Sequence, residues 1–326
     1  MSIDAHAHIV PPTTLEALRS GAGKFPSIEI ESVDQTVKFT FAGKTKTRPV
    51  MKGLWDVDDR RSWMDAANIS HQVNGTWLDM TGYEIPADEG KDWSRFINEG
   101  LRELAKSQPE FVTLASVPMQ SGVAAAEILN EAMDQGFPGV MIGTQPKGKG
   151  GVLDDPDLVP FWQAASDRQA VIVIHPMYDC GDERVHDYGL ANGLGRITDT
   201  VITVARMLFA GLPGRYPGAR IVVPIGGAAL PFVLGRLKRT REIGDDSWAH
   251  PEEQLAYLWV DTVVHDADTL DFVAKKVSWD KIMLGTDKPF PIGDFTPEKI
   301  VDELDLDAGI RSQVVDGNAR ALFGIS

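Results

Sequence analysis

Short apolar, β-branched runs alternate along this chain with longer stretches of helical spacing. The candidate strands are residues 3–8, 73–78, 111–117, 139–142, 171–175, 220–225, 257–262 and 281–287. Between them, apolar residues recur every three or four positions over 58–68, 93–108, 123–135, 158–168, 197–212, 230–241 and 267–277, the spacing of one helix face. Asp157 before Leu158, and Asp266 and Asp268 before Leu270, supply helix-start side chains. Strands regularly separated by helices predict an α/β protein of parallel βαβ units, and eight such units close into a (β/α)8 TIM barrel.

Three segments fall outside the repeat. In residues 20–54, Ile28 and Ile30 alternate, as do Val37, Phe39 and Phe41, with Ala42-Gly43-Lys44 as a turn. This predicts a small β-hairpin inserted after the first strand. Residues 176–196 and 242–252 are Gly/Asp-rich loops after the fifth and sixth strands, where barrels place their sites. Residues 303–326 read as a closing helical segment, and the whole chain, 1–326, as a single domain.

Composition narrows the partners. A net charge of −15 argues against nucleic acid or an anionic membrane surface, since both need a basic footprint. An anionic substrate would then require local cations or a metal. No apolar run approaches the roughly 18 residues of a membrane span, and no leader pattern precedes the first strand. The lone Cys180 cannot form an internal disulfide. The expectation is a cytoplasmic protein.

The chemistry lies at the strand ends. The first strand carries His6-x-His8, and side chains two apart in a strand point the same way. The fifth ends in His175 and the eighth in Asp287. In a closed barrel these ends share one rim, so three imidazoles and a carboxylate would surround one point. That ligand set suits a divalent metal such as zinc. The bland alternatives are strand and loop caps.

Several strings then resemble a known family: Ile-Asp-Ala-His-Ala-His-Ile-Val-Pro-Pro (3–12), Val-Ile-His-Pro (173–176), Ile-Gly-Gly-Ala-Ala-Leu-Pro-Phe (225–232), Asp-Thr-Val-Val-His-Asp (261–266) and Leu-Gly-Thr-Asp-Lys-Pro-Phe-Pro (284–291). In order and spacing they look like the aminocarboxymuconate-semialdehyde decarboxylase branch of the amidohydrolase superfamily, over residues 2 to about 323. The resemblance implies a TIM barrel with one divalent metal, usually zinc and with manganese as the alternative, held by His6, His8, His175 and Asp287. It also implies a homodimer and a small carboxylated aromatic or ring-opened substrate.

The chain departs from that family at three places. Ile225 stands where the family's base histidine belongs. The family's substrate arginine would fall near Met51, with Arg48 the closest cation, and Lys288 replaces an aromatic residue after Asp287. His265 and Lys288 are therefore candidate proton-transfer groups beside Asp287, with a structural role as the alternative for His265. Arg48, Arg184 and Arg241 are candidate carboxylate anchors and Ile225 a substrate wall. Arg196, Arg236 and Arg239 also flank the site loops, and solvated ion pairs are the alternative for any of these arginines. The leading expectation is a metal-dependent decarboxylase. The alternatives are a hydrolase or hydratase using metal-bound hydroxide, and a ligand-binding relative impaired by Ile225.

Overall fold

The computed structural model describes residues 1–21, 25–44, 46–177 and 180–326. Its strands are β1 (Ser2–His8), β2 (Ile28–Val33), β3 (Thr36–Phe41), β4 (Ile69–Gly75), β5 (Phe111–Thr113), β6 (Gly139–Gly143), β7 (Val171–His175), β8 (Arg220–Val223), β9 (Trp259–Asp261) and β10 (Ile282–Met283). Parallel pairing runs β1–β4–β5 in one sheet and β6–β7–β8–β9–β10 in another. The bridge between Ala115 and Val140 joins β5 to β6. The circle closes where the Ala5 amide donates to the Leu284 carbonyl at 2.8 Å and Ala7 bridges to Lys288. Eight parallel strands thus form a barrel, as the alternation of patterns implies.

Local chemistry sets the boundaries. β7 is buried at every residue, the mark of a parallel strand covered on both faces. β8 stops at Val223 because Pro224 has no amide to donate and Ile225 turns left-handed, with φ 58°. The second α-helix of the chain, α2 (Val57–Ala66), which follows α1 (Pro12–Arg19), starts at Asp56, which accepts from the Asp59 amide at 3.1 Å. The helix Ala267–Val277 starts at Asp266, which accepts from the Thr269 amide at 2.8 Å. These caps satisfy amides that have no partner inside the helix.

One sequence expectation is corrected and one unpredicted helix is added. β2 and β3 pair antiparallel from Ile28–Phe41 to Val33–Thr36, so their tight turn is Asp34-Gln35, with Asp34 left-handed. Ala42 and Gly43, also left-handed, make a second turn that brings Lys46 back to Thr40. The eight-residue helix Pro12–Arg19 was absent from the sequence reading; Pro12 is at its first turn, where a missing amide does no harm.

Buried polar side chains lie below the rim of the barrel. Arg60 projects from α2 and is only 2% exposed. Its guanidinium donates to Gln72 Oε1 at 2.7 Å, Asn74 Oδ1 at 3.3 Å, the His8 carbonyl at 3.1 Å and the Gly53 carbonyl at 3.0 Å. The end of β1 is thereby tied to β4 just below the rim.

Candidate metal centre and cavity

His6, His8, His175 and Asp287 are buried, and each offers one ligand atom within 4.8 Å of the others. Asp287 Oδ1 is 3.2 Å from His8 Nε2, 3.5 Å from His6 Nε2 and 3.7 Å from His175 Nε2. The opposite ring nitrogens are engaged elsewhere. His6 Nδ1 donates to Asp261 Oδ2 at 2.7 Å, His8 Nδ1 to the Thr76 carbonyl at 3.2 Å, and His175 Nδ1 to the Pro176 carbonyl at 2.9 Å. A carbonyl only accepts, so the neutral rings of His8 and His175 carry their proton on Nδ1 and turn a lone pair inward.

Those two lone pairs face each other at 3.1 Å. His6 Nε2 and Asp287 Oδ1 are buried without a hydrogen-bond partner among the described residues. Buried polar atoms are normally paired. Converging imidazole lone pairs, a carboxylate and unpartnered inward atoms fit a divalent cation, with the outer bonds orienting each ring.

Burial and charge divide the titration. His175 is pushed down to about 3, chiefly by burial and then by the neighbouring imidazoles. Burial also lowers His8. For His6 burial works against the charge, but the Asp261 bond and the surrounding carboxylates outweigh it, raising the ring to about 9. Burial opposes ionisation of Asp287, yet the neighbouring rings of His175, His8 and His6 hold its carboxyl well below the usual range.

Asp261, at the end of β9, also shapes the neighbouring wall. Its Oδ1 accepts the amides of Gly226 at 2.9 Å and Val263 at 3.1 Å. Ile225 and Gly226 are both left-handed there, with φ 58° and 60°. A Cβ on Gly226 would lie 2.2 Å from Val264, so only glycine fits. A β-branched residue is a marked outlier in this region. Strain of about 1–3 kcal/mol is typical of such positions and clusters at functional sites.

A cavity of about 580 Å³ opens over His8, His175 and Asp287. Its aromatic and apolar walls include Trp77, Leu78, Ile225 and Phe290, whose ring lies 5.0 Å from that of His8. Its other titratable or charged lining residues are Arg48, Asp79, Arg196 and His265.

The sequence profile of the amidohydrolase family matches residues 3–325. The chain belongs to the amidohydrolase family. Among its relatives, the 2-amino-3-carboxymuconate-6-semialdehyde decarboxylase of Dictyostelium discoideum is 28% identical over 336 residues, covering 100% of this chain and 92% of that protein. The gamma-resorcylate decarboxylase of Polaromonas is 24% identical over 299 residues, covering 84% and 89%. In fold, the amidohydrolase superposes on 5-carboxyvanillate decarboxylase from Sphingomonas paucimobilis with a TM-score of 0.82, at 20% identity over 100% and 99% of the two chains. The decarboxylase of the same name from Novosphingobium aromaticivorans, solved with manganese and 4-hydroxy-3-methoxy-5-nitrobenzoic acid, gives 0.80 at 19% identity over 100% and 96%.

The amidohydrolase's other sequence candidates separate by position. Arg48, Ile225 and His265 line the cavity. Arg48 is 72% exposed and 3.8 Å from Asp79. Lys288 does not line it: its ammonium lies over the rings of Trp63 at 4.3 Å and Phe295 at 4.4 Å. Arg184 is 88% exposed and paired with Asp182. Arg241 donates to the Trp248 and Asp246 carbonyls on the surface. Asp79 and Asp261 escaped the sequence reading as site residues. Asp261 was signalled by its place near the end of a predicted strand and at the head of the 261–266 string, whereas Asp79 lies past the end of β4 in a short helical turn, Leu78–Met80.

Proposed function

We propose that this amidohydrolase is a metal-dependent decarboxylase of small carboxylated aromatic or ring-opened acids, built as one barrel domain from 1 to 326. The observation that carries the reading is the His6, His8, His175 and Asp287 cluster at the floor of an aromatic-walled cavity. The relatives named as decarboxylases support the reaction class. His6, His8, His175 and Asp287 would hold the ion, zinc or manganese. When bound, the ion supplies Lewis-acid polarisation of a substrate oxygen.

In the reaction the bond to the departing carboxylate breaks, carbon dioxide leaves, and the electron pair remaining on carbon takes a proton. Trp77, Leu78 and Phe290 exclude water and flank a planar substrate. His265 lines the cavity and is the proposed proton-transfer residue, since Ile225 has no proton to give and Lys288 is turned away. Ile225 also favours a second reading, ligand binding with impaired turnover, because losing one general acid or base costs about 10²–10⁴-fold in rate. A cytoplasmic homodimer in aromatic-acid breakdown completes the proposal. No helix among the described residues is long and apolar enough to cross a membrane.

Carbon dioxide release from a panel of aromatic acids, with the protein metal-loaded and then chelator-stripped, tests the reaction. Metal-dependent release supports decarboxylation. Hydrolytic products without carbon dioxide contradict it, and binding with no turnover of any acid favours the second reading.

A further inference from the structure

Arg196 lines the cavity and has no ion pair among the described residues. It is the first residue of the helix Arg196–Phe209 and follows the turn Ala191–Gly195, of which Ala191, Asn192 and Gly193 line the same space. The guanidinium is half-buried and reaches back over the end of β7. Its Nη1 makes two long bonds, at 3.5 Å to the Pro176 carbonyl and 3.4 Å to the Met177 carbonyl. The Pro176 carbonyl also holds the ligand His175, which places Arg196 beside the metal centre. Among the described residues no carboxylate lies within ion-pair distance of it. Arg48, by contrast, already faces Asp79 at 3.8 Å and is mostly in solvent.

A guanidinium offers five donors in a planar fork suited to a carboxylate. In a chain of net charge −15, leaving that fork without a carboxylate partner in a cavity is a marked exception to the surrounding charge. Which acid group it takes follows from the reaction. A departing carboxylate loses its charge as the bond breaks, so tight ion pairing to it would stabilise the ground state over the transition state. An acid group that stays on the substrate keeps its charge throughout. Pairing there strengthens binding without opposing the chemistry.

We infer that Arg196 binds a second, non-departing acid group of the substrate, so that this cavity selects dicarboxylated over monocarboxylated compounds. The inference rests on the decarboxylase reading for its choice of acid group. Met51, at the place where the resemblance puts a substrate arginine, is uncharged and does not line the cavity, so Arg196 supplies from another loop what that position lacks. Burial raises the Asp79 carboxyl while the charges of Arg196 and then Arg48 draw it down, and Arg48 is the one within ion-pair distance of it.

The test uses a probe that is not turned over. In 4-hydroxy-3-methoxy-5-nitrobenzoate a nitro group replaces one acid and the ring carboxylate remains. Its primary amide has the same shape without the charge. Calorimetry on zinc-loaded protein should show the acid bound about 10–100-fold more tightly than the amide, the value of a charge-assisted pair. Arg196→Gln should abolish that preference and Arg196→Lys should retain part of it, with zinc content and thermal midpoint checked for each. Arg184→Gln and Arg241→Gln should keep it whole. An equal preference in wild type and Arg196→Gln overturns the assignment, as does a wild type that binds acid and amide alike or neither. Acid preference intact but no carbon dioxide from any diacid would instead sink the decarboxylase reading and leave Arg196 as an acid-binding residue.

Discussion

Asp261 holds His6 and the cavity wall at once. One carboxylate oxygen takes the Nδ1 proton of His6 at 2.7 Å, while the other takes the amide of Gly226 at 2.9 Å. The orientation of His6, a proposed metal ligand, and the left-handed backbone under Ile225 therefore depend on one side chain.

Asparagine has a single acceptor, so Asp261→Asn can keep only one of these two sets of bonds. Zinc affinity should fall about 10–100-fold, the usual consequence of losing an outer partner of a ligating histidine. Equilibrium dialysis measures it, and wild-type affinity in a folded variant would show that His6 orients without Asp261.

Ion binding should release protons. A ligating imidazole must be neutral. His175, pushed down to about 3, is already neutral at pH 7.5, and Asp287 is ionised. His6, raised to about 9, is charged and must give up close to one proton. Affinity should then increase with pH up to about 9. Calorimetry in buffers of different ionisation enthalpy counts the protons; a count of zero contradicts the His6 assignment. For folding of the metal-free protein the signs oppose. The His6 contribution is full below 6.5 and lost as pH rises through about 9, whereas that of His175 is present above 6.5 and lost as pH falls toward about 3.

Arg60→Met leaves the His8 and Gly53 carbonyls and the Gln72 and Asn74 side chains without their buried donor. A loss of about 3–5 kcal/mol of stability is expected, the range for removing a buried charged partner. Urea denaturation reads it, and a loss under about 1 kcal/mol would mean that the network repacks around water.

Ile225→His replaces a strained β-branched residue by one that tolerates a left-handed backbone better and adds a proton-transfer group on the cavity wall. Carbon dioxide release should increase at least about tenfold, toward the 10²–10⁴-fold range of a positioned acid or base. An unchanged rate with full metal content would mean that proton transfer does not limit turnover or is served from elsewhere.

The barrel and the gathering of His6, His8, His175 and Asp287 at its rim were legible because both depend on local pattern. A strand such as Val171–His175 is a continuous apolar run ending in a histidine, and parallel topology carries every such end to one rim. The hairpin turn was displaced because Ala42-Gly43 carries a stronger glycine signal than Asp34-Gln35, yet both pairs turn. Lys288 misled because adjacency to Asp287 in sequence says nothing of rotamer, and two aromatic rings draw its ammonium away. Arg184, Arg196 and Arg241 look alike in sequence. The fold of the loop after β7 brings Arg196 into the cavity and leaves Arg184 outside its lining, while Arg241 sits near the far end of the helix Leu230–Ile243. Asp261 was invisible as a partner of His6 because 255 residues separate them.

The metal content of protein purified after growth in zinc- and manganese-supplemented medium is the most direct measurement. Close to one ion per chain in the wild type, falling to near zero in His175→Ala with the fold retained, is the predicted result. A wild type that holds no ion, or a His175→Ala variant that holds as much as the wild type, would contradict a centre built from His6, His8, His175 and Asp287.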